Sequence, residues 1–85
     1  PTGYIFSESE LRAIGEILKK KDWWIISDEI YEYLSFERPH HSLLNLFPEF
    51  KSRFFYVHGF SKSFAMTGWR VGYVAGPKEP TQIIR

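Results

Sequence analysis

The chain has 85 residues, with 11 lysines and arginines against 10 aspartates and glutamates, and a formal net charge of +1 at pH 7. That length allows one domain at most, and the near balance of charge gives no electrostatic case for nucleic acid. There is no cysteine, hence no disulfide framework and no thiolate metal site; no apolar run approaches the ~20 residues that span a bilayer.

At 44% hydrophobic and 19% aromatic, the composition is too apolar for a disordered tail. It is also rich in rings for so small a domain, so part of this surface is expected to meet other parts of a larger protein. No signal peptide opens the chain, which predicts a cytoplasmic location.

Pro1-Thr2-Gly3 predicts a turn. Ser7 then starts a helix: Ser7 and Glu10 have the spacing of a capping box, and Phe6 and Leu11 that of a hydrophobic staple. Leu11, Ile14, Gly15 and Leu18 recur on one helical face, with Ile17 beside it. Gly15 either admits close packing or merely weakens the helix by ~1 kcal/mol relative to alanine. Lys19-Lys20-Lys21 falls at the expected helix end, where positive charge complements the helix dipole.

Residues 23–28, led by Trp23-Trp24-Ile25-Ile26, do not alternate with polar residues and predict a strand covered on both faces, as in a parallel sheet. Arg38-Pro39-His40-His41 predicts a loop. Ser42 is placed to cap a short helix through Leu43, Leu44 and Leu46, stopped near Pro48. Residues 54–59 and 71–75 predict a second and a third strand, with a turn or helical turn from Ser63 to Thr67 between them. Pro80 is expected to open a last helix. Helix followed by strand implies an α/β layer architecture. Three strands and one full helix leave sheet edges and faces uncovered, so the chain is expected to be part of something longer.

Asp28 stands where the first strand ends, the side of an open α/β sheet on which ligands bind. A carboxylate there can hold a ring nitrogen protonated through a charge-assisted hydrogen bond. It can equally cap the turn that follows. Tyr31, three residues on, shares a site with Asp28 if the chain rolls into a helical turn. Glu29 fits a structural or solvated carboxylate better than a base.

Lys62 lies between Ser61 and Ser63, just past the second strand. A lysine so placed can lose water and act as a nucleophilic amine toward an aldehyde, or equally remain a loop lysine in water. Arg70 offers a planar fork for a phosphate, and Ser61 and Ser63 offer hydroxyls near the same point. An ion pair and turn hydroxyls are the plainer alternatives. The adjacent His40 and His41 diverge on an extended chain and have no carboxylate at helical ligand spacing, so no metal is expected. His58, within the second strand, fits a core or edge histidine. Neither a G-x-x-x-x-G-K-[ST] loop nor G-x-G-x-x-G is present.

Taken together, Ser27-Asp28-Glu29-Ile30-Tyr31 and the run from Gly59 to Tyr73 resemble the cofactor-binding core of class I/II aminotransferases, the fold-type I enzymes dependent on pyridoxal 5′-phosphate. The S-K-x-x-x-x-T-G-x-R-x-G spacing is highly specific, and the resemblance covers nearly the whole chain. It implies that Asp28 binds the pyridine nitrogen of pyridoxal 5′-phosphate and Tyr31 its phenolate oxygen. It further implies that Lys62 is the catalytic residue bonded to the cofactor and that Arg70 holds the phosphate. Many relatives carry a phosphate-binding serine three residues before the lysine; Gly59 stands there in this chain, and Ser61 is the candidate substitute.

The fold implied is α/β: a central piece of the large domain, residues 1–85, with two parallel strands and a third antiparallel to the second. The implied reaction is transamination between an L-amino acid and a 2-oxo acid in a homodimeric parent, the 85 residues alone being inactive. A lyase or synthase of the same fold shares these residues, and a non-catalytic remnant or self-associating module is the reading from a different class.

Overall fold

The computed structural model describes residues 3–84. Helix α1 spans Glu8–Lys19 and opens as its sequence predicts. Ser7 Oγ accepts from the Glu10 backbone N–H, and the Glu10 carboxylate accepts from the Ser7 N–H at 2.8 Å, closing the capping box. The Glu10 carboxylate also accepts from the Tyr4 hydroxyl, and these bonds together hold its carboxyl down to about 2. Of the predicted turn at the start, Pro1 and Thr2 lie outside the described residues, while Gly3 has a φ of 72°, in the region glycine favours.

Three strands follow: β1 Ile25–Asp28, β2 Phe54–Gly59 and β3 Gly72–Ala75. They form one sheet in the order β1-β2-β3. β1 pairs parallel with β2, Ile25 opposite Phe54 and Asp28 opposite Val57. β2 pairs antiparallel with β3, Tyr56 opposite Ala75 and Gly59 opposite Gly72. The mixed three-stranded sheet is the one expected. β1 begins two residues later than predicted, since Trp23 and Trp24 remain outside the ladder. Its covering also differs: Ile25 is buried, but Ile26 on the opposite face is 72% exposed among the described residues.

Between β1 and β2 lie the short helix α2, Leu43–Leu46, and a 3₁₀ turn, Pro48–Arg53. Pro48 does not simply stop the helix; it opens the 3₁₀ segment, whose first position tolerates a missing N–H. Ser42 precedes α2 as predicted, but its side chain does not cap it; the hydroxyl is drawn to Glu29 instead. After β3, helix α3 runs Lys78–Ile83, starting two residues ahead of Pro80.

The core sits where α1, α2 and the 3₁₀ turn cover one face of the sheet: Leu11, Ile25, Leu43, Phe47, Phe50 and Phe54. Phe50 and Phe54 are fully buried. Gly15 belongs to this contact, because a Cβ there would come within 2.0 Å of the Phe47 ring. Close packing, and not helix weakening, is therefore the reason for the glycine. Arg53 ties the layers together. Its guanidinium donates to the carbonyls of Leu18, Lys21 and Trp23 at 2.6–2.8 Å and lies over the Phe50 ring. It thereby satisfies carbonyls at the end of α1 and on the path into β1.

Candidate functional site

The parallel pairing of β1 and β2 puts their carboxyl ends, Asp28 and Gly59, on one side of the sheet. The antiparallel β3 starts on that same side, with Gly72 opposite Gly59. Residues that leave β1, leave β2 or enter β3 are thus gathered at one edge. Asp28, Tyr31, Ser61, Lys62 and Arg70 all lie in those segments, although more than 40 positions separate the first from the last.

Asp28 ends β1 with its side chain exposed. Oδ1 accepts from the Ile30 N–H at 3.2 Å, so the carboxylate does shape the following turn. Its second oxygen has no protein donor among the described residues. Glu32 N–H donates to Glu29 O and Leu34 N–H to Tyr31 O, so the chain rolls into the turn that the Asp28–Tyr31 spacing required. Tyr31 is half exposed there, and Lys62 Nζ stands 5.8 Å from the centre of its ring. That cation–ring approach is the direct meeting of the first strand's exit with the second's.

Lys62 itself is exposed, in a turn closed by bonds from Phe64 N–H to Phe60 O and from Ala65 N–H to Lys62 O. Ser61 contributes its carbonyl, which accepts from Thr67 Oγ1 at 3.1 Å, while Ser63 Oγ reaches Ile30 O at 3.5 Å. Arg70 is exposed and donates to Thr67 O at 3.1 Å, its one side-chain hydrogen bond among the described residues. Ala65 and Arg70 both have left-handed backbones, φ 53° and 54°. Left-handed conformations cost non-glycine residues about 1–2 kcal/mol each, and such strain collects at functional sites. At Gly59 a Cβ would lie 3.4 Å from Ile30 Cδ1 and Val71 O, in ordinary contact. Backbone geometry therefore does not demand the glycine.

Two carboxylates that the motifs left aside prove well connected. Glu29 is 5% exposed. Its oxygens accept from Ser27 Oγ and Ser42 Oγ, each at 2.9 Å, and from His40 Nε2 at 2.8 Å. Glu32 faces His58 Nε2 at 3.5 Å. His58 is buried and stacks against the rings of Tyr56 and Tyr73, and its Nε2 has no hydrogen-bond partner among the described residues. Burial and a hydrogen bond to Glu32 raise the Tyr56 phenol far above its ordinary range. Ligand atoms of Glu29, Glu32 and His40 lie within 4.8 Å of one another, as a metal would require. The serines and His40 already occupy both oxygens of Glu29, so hydrogen bonding accounts for the approach of Glu29 and His40. Sequence reasoning missed this network because Ser42 and His40 are distant in the chain from Glu29, and neither residue type announces such a partner.

The chemistry at the sheet's edge comprises a carboxylate, a phenol, a primary amine and a guanidinium. That set offers hydrogen bonds and charge of both signs to a ligand at that edge. The fold is an open α/β sheet with ionisable side chains gathered at its strand ends, the place where ligands bind in such sheets. Over residues 1–85 the sequence matches the family Aminotransferase class I and II, and the chain belongs to it.

The chain is 48% identical over 80 residues to an aspartate aminotransferase of Geobacillus stearothermophilus, covering 93% of this chain and 20% of that protein. A double mutant of the aspartate aminotransferase of Thermus thermophilus superposes with a TM-score of 0.85 at 39% identity, covering 96% of this chain and 21% of that one. An aromatic aminotransferase from Pyrococcus horikoshii gives 0.81 at 42% identity, covering 91% and 20%. The chain thus spans about a fifth of the length of the relatives it matches.

Proposed function

We propose that the full-length polypeptide carrying this sequence is an aminotransferase dependent on pyridoxal 5′-phosphate, passing an amino group between an L-amino acid and a 2-oxo acid. Residues 1–85 are then the central part of its large, cofactor-binding domain. The observation that carries this reading is the gathering of Asp28, Tyr31, Lys62 and Arg70 at one sheet edge, with Lys62 Nζ 5.8 Å from the Tyr31 ring.

When bound, pyridoxal 5′-phosphate withdraws electrons from the substrate α-carbon and so makes its proton removable. Asp28 keeps the ring nitrogen protonated through the oxygen its turn leaves free. Tyr31 donates its hydroxyl to the phenolate oxygen. Lys62 Nζ would hold the cofactor at its aldehyde group, and it would be the base placed to take the substrate α-proton. Arg70 grips the phosphate, with Ser61 beside it where many relatives carry a serine at the position of Gly59.

The relatives named for aspartate and for aromatic amino acids share this segment, which suits a role in the common chemistry and not in choosing the side chain. A homodimer is part of the same reading. Exposed Trp23, Phe36 and Trp69 offer apolar surface for contacts beyond the described residues.

Borohydride reduction of the full-length protein with pyridoxal 5′-phosphate, followed by peptide mapping, tests the assignment. The label is expected on Lys62. A label on Lys51 or Lys78 would overturn it, because the other roles are placed relative to that lysine.

A further inference from the structure

Glu29 is a carboxylate taken almost completely out of water, and nothing in the proposed chemistry uses it. Burying a charged group is unfavourable unless it is paired and hydrogen-bonded. Here it has three donors from two separate segments: Ser27 on β1, and His40 and Ser42 from the loop that precedes α2. Its backbone is held too, the N–H donating to Val57 O of β2 and the carbonyl accepting from Glu32 N–H.

The residue so fixed lies directly after Asp28 and two before Tyr31. Beyond Tyr31 the next carboxylate, Glu32, is set against the buried His58 of β2. The short exit turn that presents Asp28 and Tyr31 is therefore anchored before Tyr31 by Glu29, while Glu32 after it faces His58 without a hydrogen bond between them. Each acid is matched by a histidine from another part of the chain.

We propose that Glu29 is a positioning residue: its buried carboxylate, tied to Ser27, His40 and Ser42, sets where Asp28 and Tyr31 stand relative to Lys62. This rests on the cofactor reading given above. Ordinary packing would be served by an apolar side chain at this site. A buried, fully bonded carboxylate instead fixes direction as well as place, since each bond is lost if the turn rotates.

Two measurements on the full-length protein test it. The first needs no cofactor. Hydrogen exchange is followed at the amides of Glu32 and Leu34, which close the turn, and at those of β2 as an internal control. Glu29→Ala is expected to speed exchange in the turn at least tenfold while β2 keeps its protection. Ser42→Ala, a milder variant, is expected to do so in smaller measure. Unchanged exchange in the turn for both variants overturns the proposal, as does uniform loosening of turn and β2 together.

The second measurement is the pH midpoint of the colour change of added pyridoxal 5′-phosphate. Losing the phenol in Tyr31→Phe is expected to raise that midpoint by about one unit or more. Glu29→Ala is expected to raise it in the same direction, and Glu29→Gln, which can still accept from both serines, to restore it. In the Tyr31→Phe background, Glu29→Ala should add little, because it acts through a phenol no longer present. Full additivity of the two shifts overturns the positioning role. A midpoint indifferent to Tyr31→Phe itself sinks the cofactor reading and this proposal's functional half with it. The exchange result then shows separately whether Glu29 holds the turn.

Discussion

Around Phe50 the chain is closed on all sides; around Lys62 it is open, turned and strained. At the first place rings stack, the Phe47 ring fills the space a Cβ at Gly15 would need, and Arg53 satisfies three carbonyls at once. At the second, Lys62, Arg70 and Asp28 are exposed, and two non-glycine residues hold left-handed backbones. The two regions sit at opposite ends of the same β2 strand. The core packing is concentrated at its amino end, while the groups proposed to do chemistry are displayed at its carboxyl end. Such a division lets reactive groups occupy positions that packing alone would not select.

The contrast can be attacked first at its strongest point. Phe50→Ala should lower the unfolding free energy by about 3–5 kcal/mol, the range for a buried aromatic ring, as measured by urea denaturation. A loss below 1 kcal/mol would mean that the packed end is not where stability resides. Arg53→Ala should cost roughly 1–3 kcal/mol, since it removes bonds from a charged donor to three carbonyls, of which Leu18 O is part-buried. Gly15→Ala sharpens the same side. Alanine favours the helix by about 1 kcal/mol, yet the clash with Phe47 should reverse the sign to a net loss of about 1–2 kcal/mol.

The open end should respond differently. Lys62→Ala should leave stability within about 0.5 kcal/mol while abolishing covalent cofactor attachment in the full-length protein. Ala65→Gly should be neutral or stabilising by up to about 1 kcal/mol, because it relieves a left-handed alanine. A clear destabilisation by either change would erase the distinction between the two ends.

The smallest effect concerns pH. Glu10 is held at about 2 in the folded chain against an ordinary 4.5, by bonds from Tyr4 and Ser7. A depressed carboxyl contributes stability that is present above 4.5 and lost as pH falls toward 2. Glu10→Gln should therefore flatten the acid limb of the stability curve over that window. The carboxylate is only part-buried and solvent screens it, so the change should be slight.

How much of this was legible in the sequence follows from whether each signal was local. The capping box at Ser7 and Glu10 needed only neighbouring residues, and it formed as its spacing required. The three strands and their directions followed from apolar runs, intervening lengths and the resemblance carried by the Lys62–Arg70 spacing. Where the signal depended on distant partners, reading fell short. Ser42 looked like a helix cap, but a buried acid thirteen residues earlier in the chain claims its hydroxyl. Gly15 left two explanations open until Phe47 was found across the interface. Trp23 and Trp24 looked like strand because of their residue type, yet Arg53 binds the carbonyl of Trp23 and the ladder begins only at Ile25. At the candidate site, the sequence pointed to which residues gather at the sheet edge; it did not disclose the anchored Glu29 between two of them.

The antiparallel return of β3 has a consequence for the order in which the molecule is assembled. Residues 60–71 close the β2–β3 hairpin, whereas residues 29–53, roughly twice as many, must be closed before β1 can pair with β2. Doubling a loop adds only about 0.6 kcal/mol of closure entropy, but non-local pairing slows folding well beyond that static difference. Loop length therefore predicts that the hairpin carrying Lys62 and Arg70 forms before the β1 exit with Asp28 and Tyr31, an order that φ-values in β3 and β1 would check. A chain stalled between these stages would display the lysine and the guanidinium with no carboxylate or phenol yet in place opposite them.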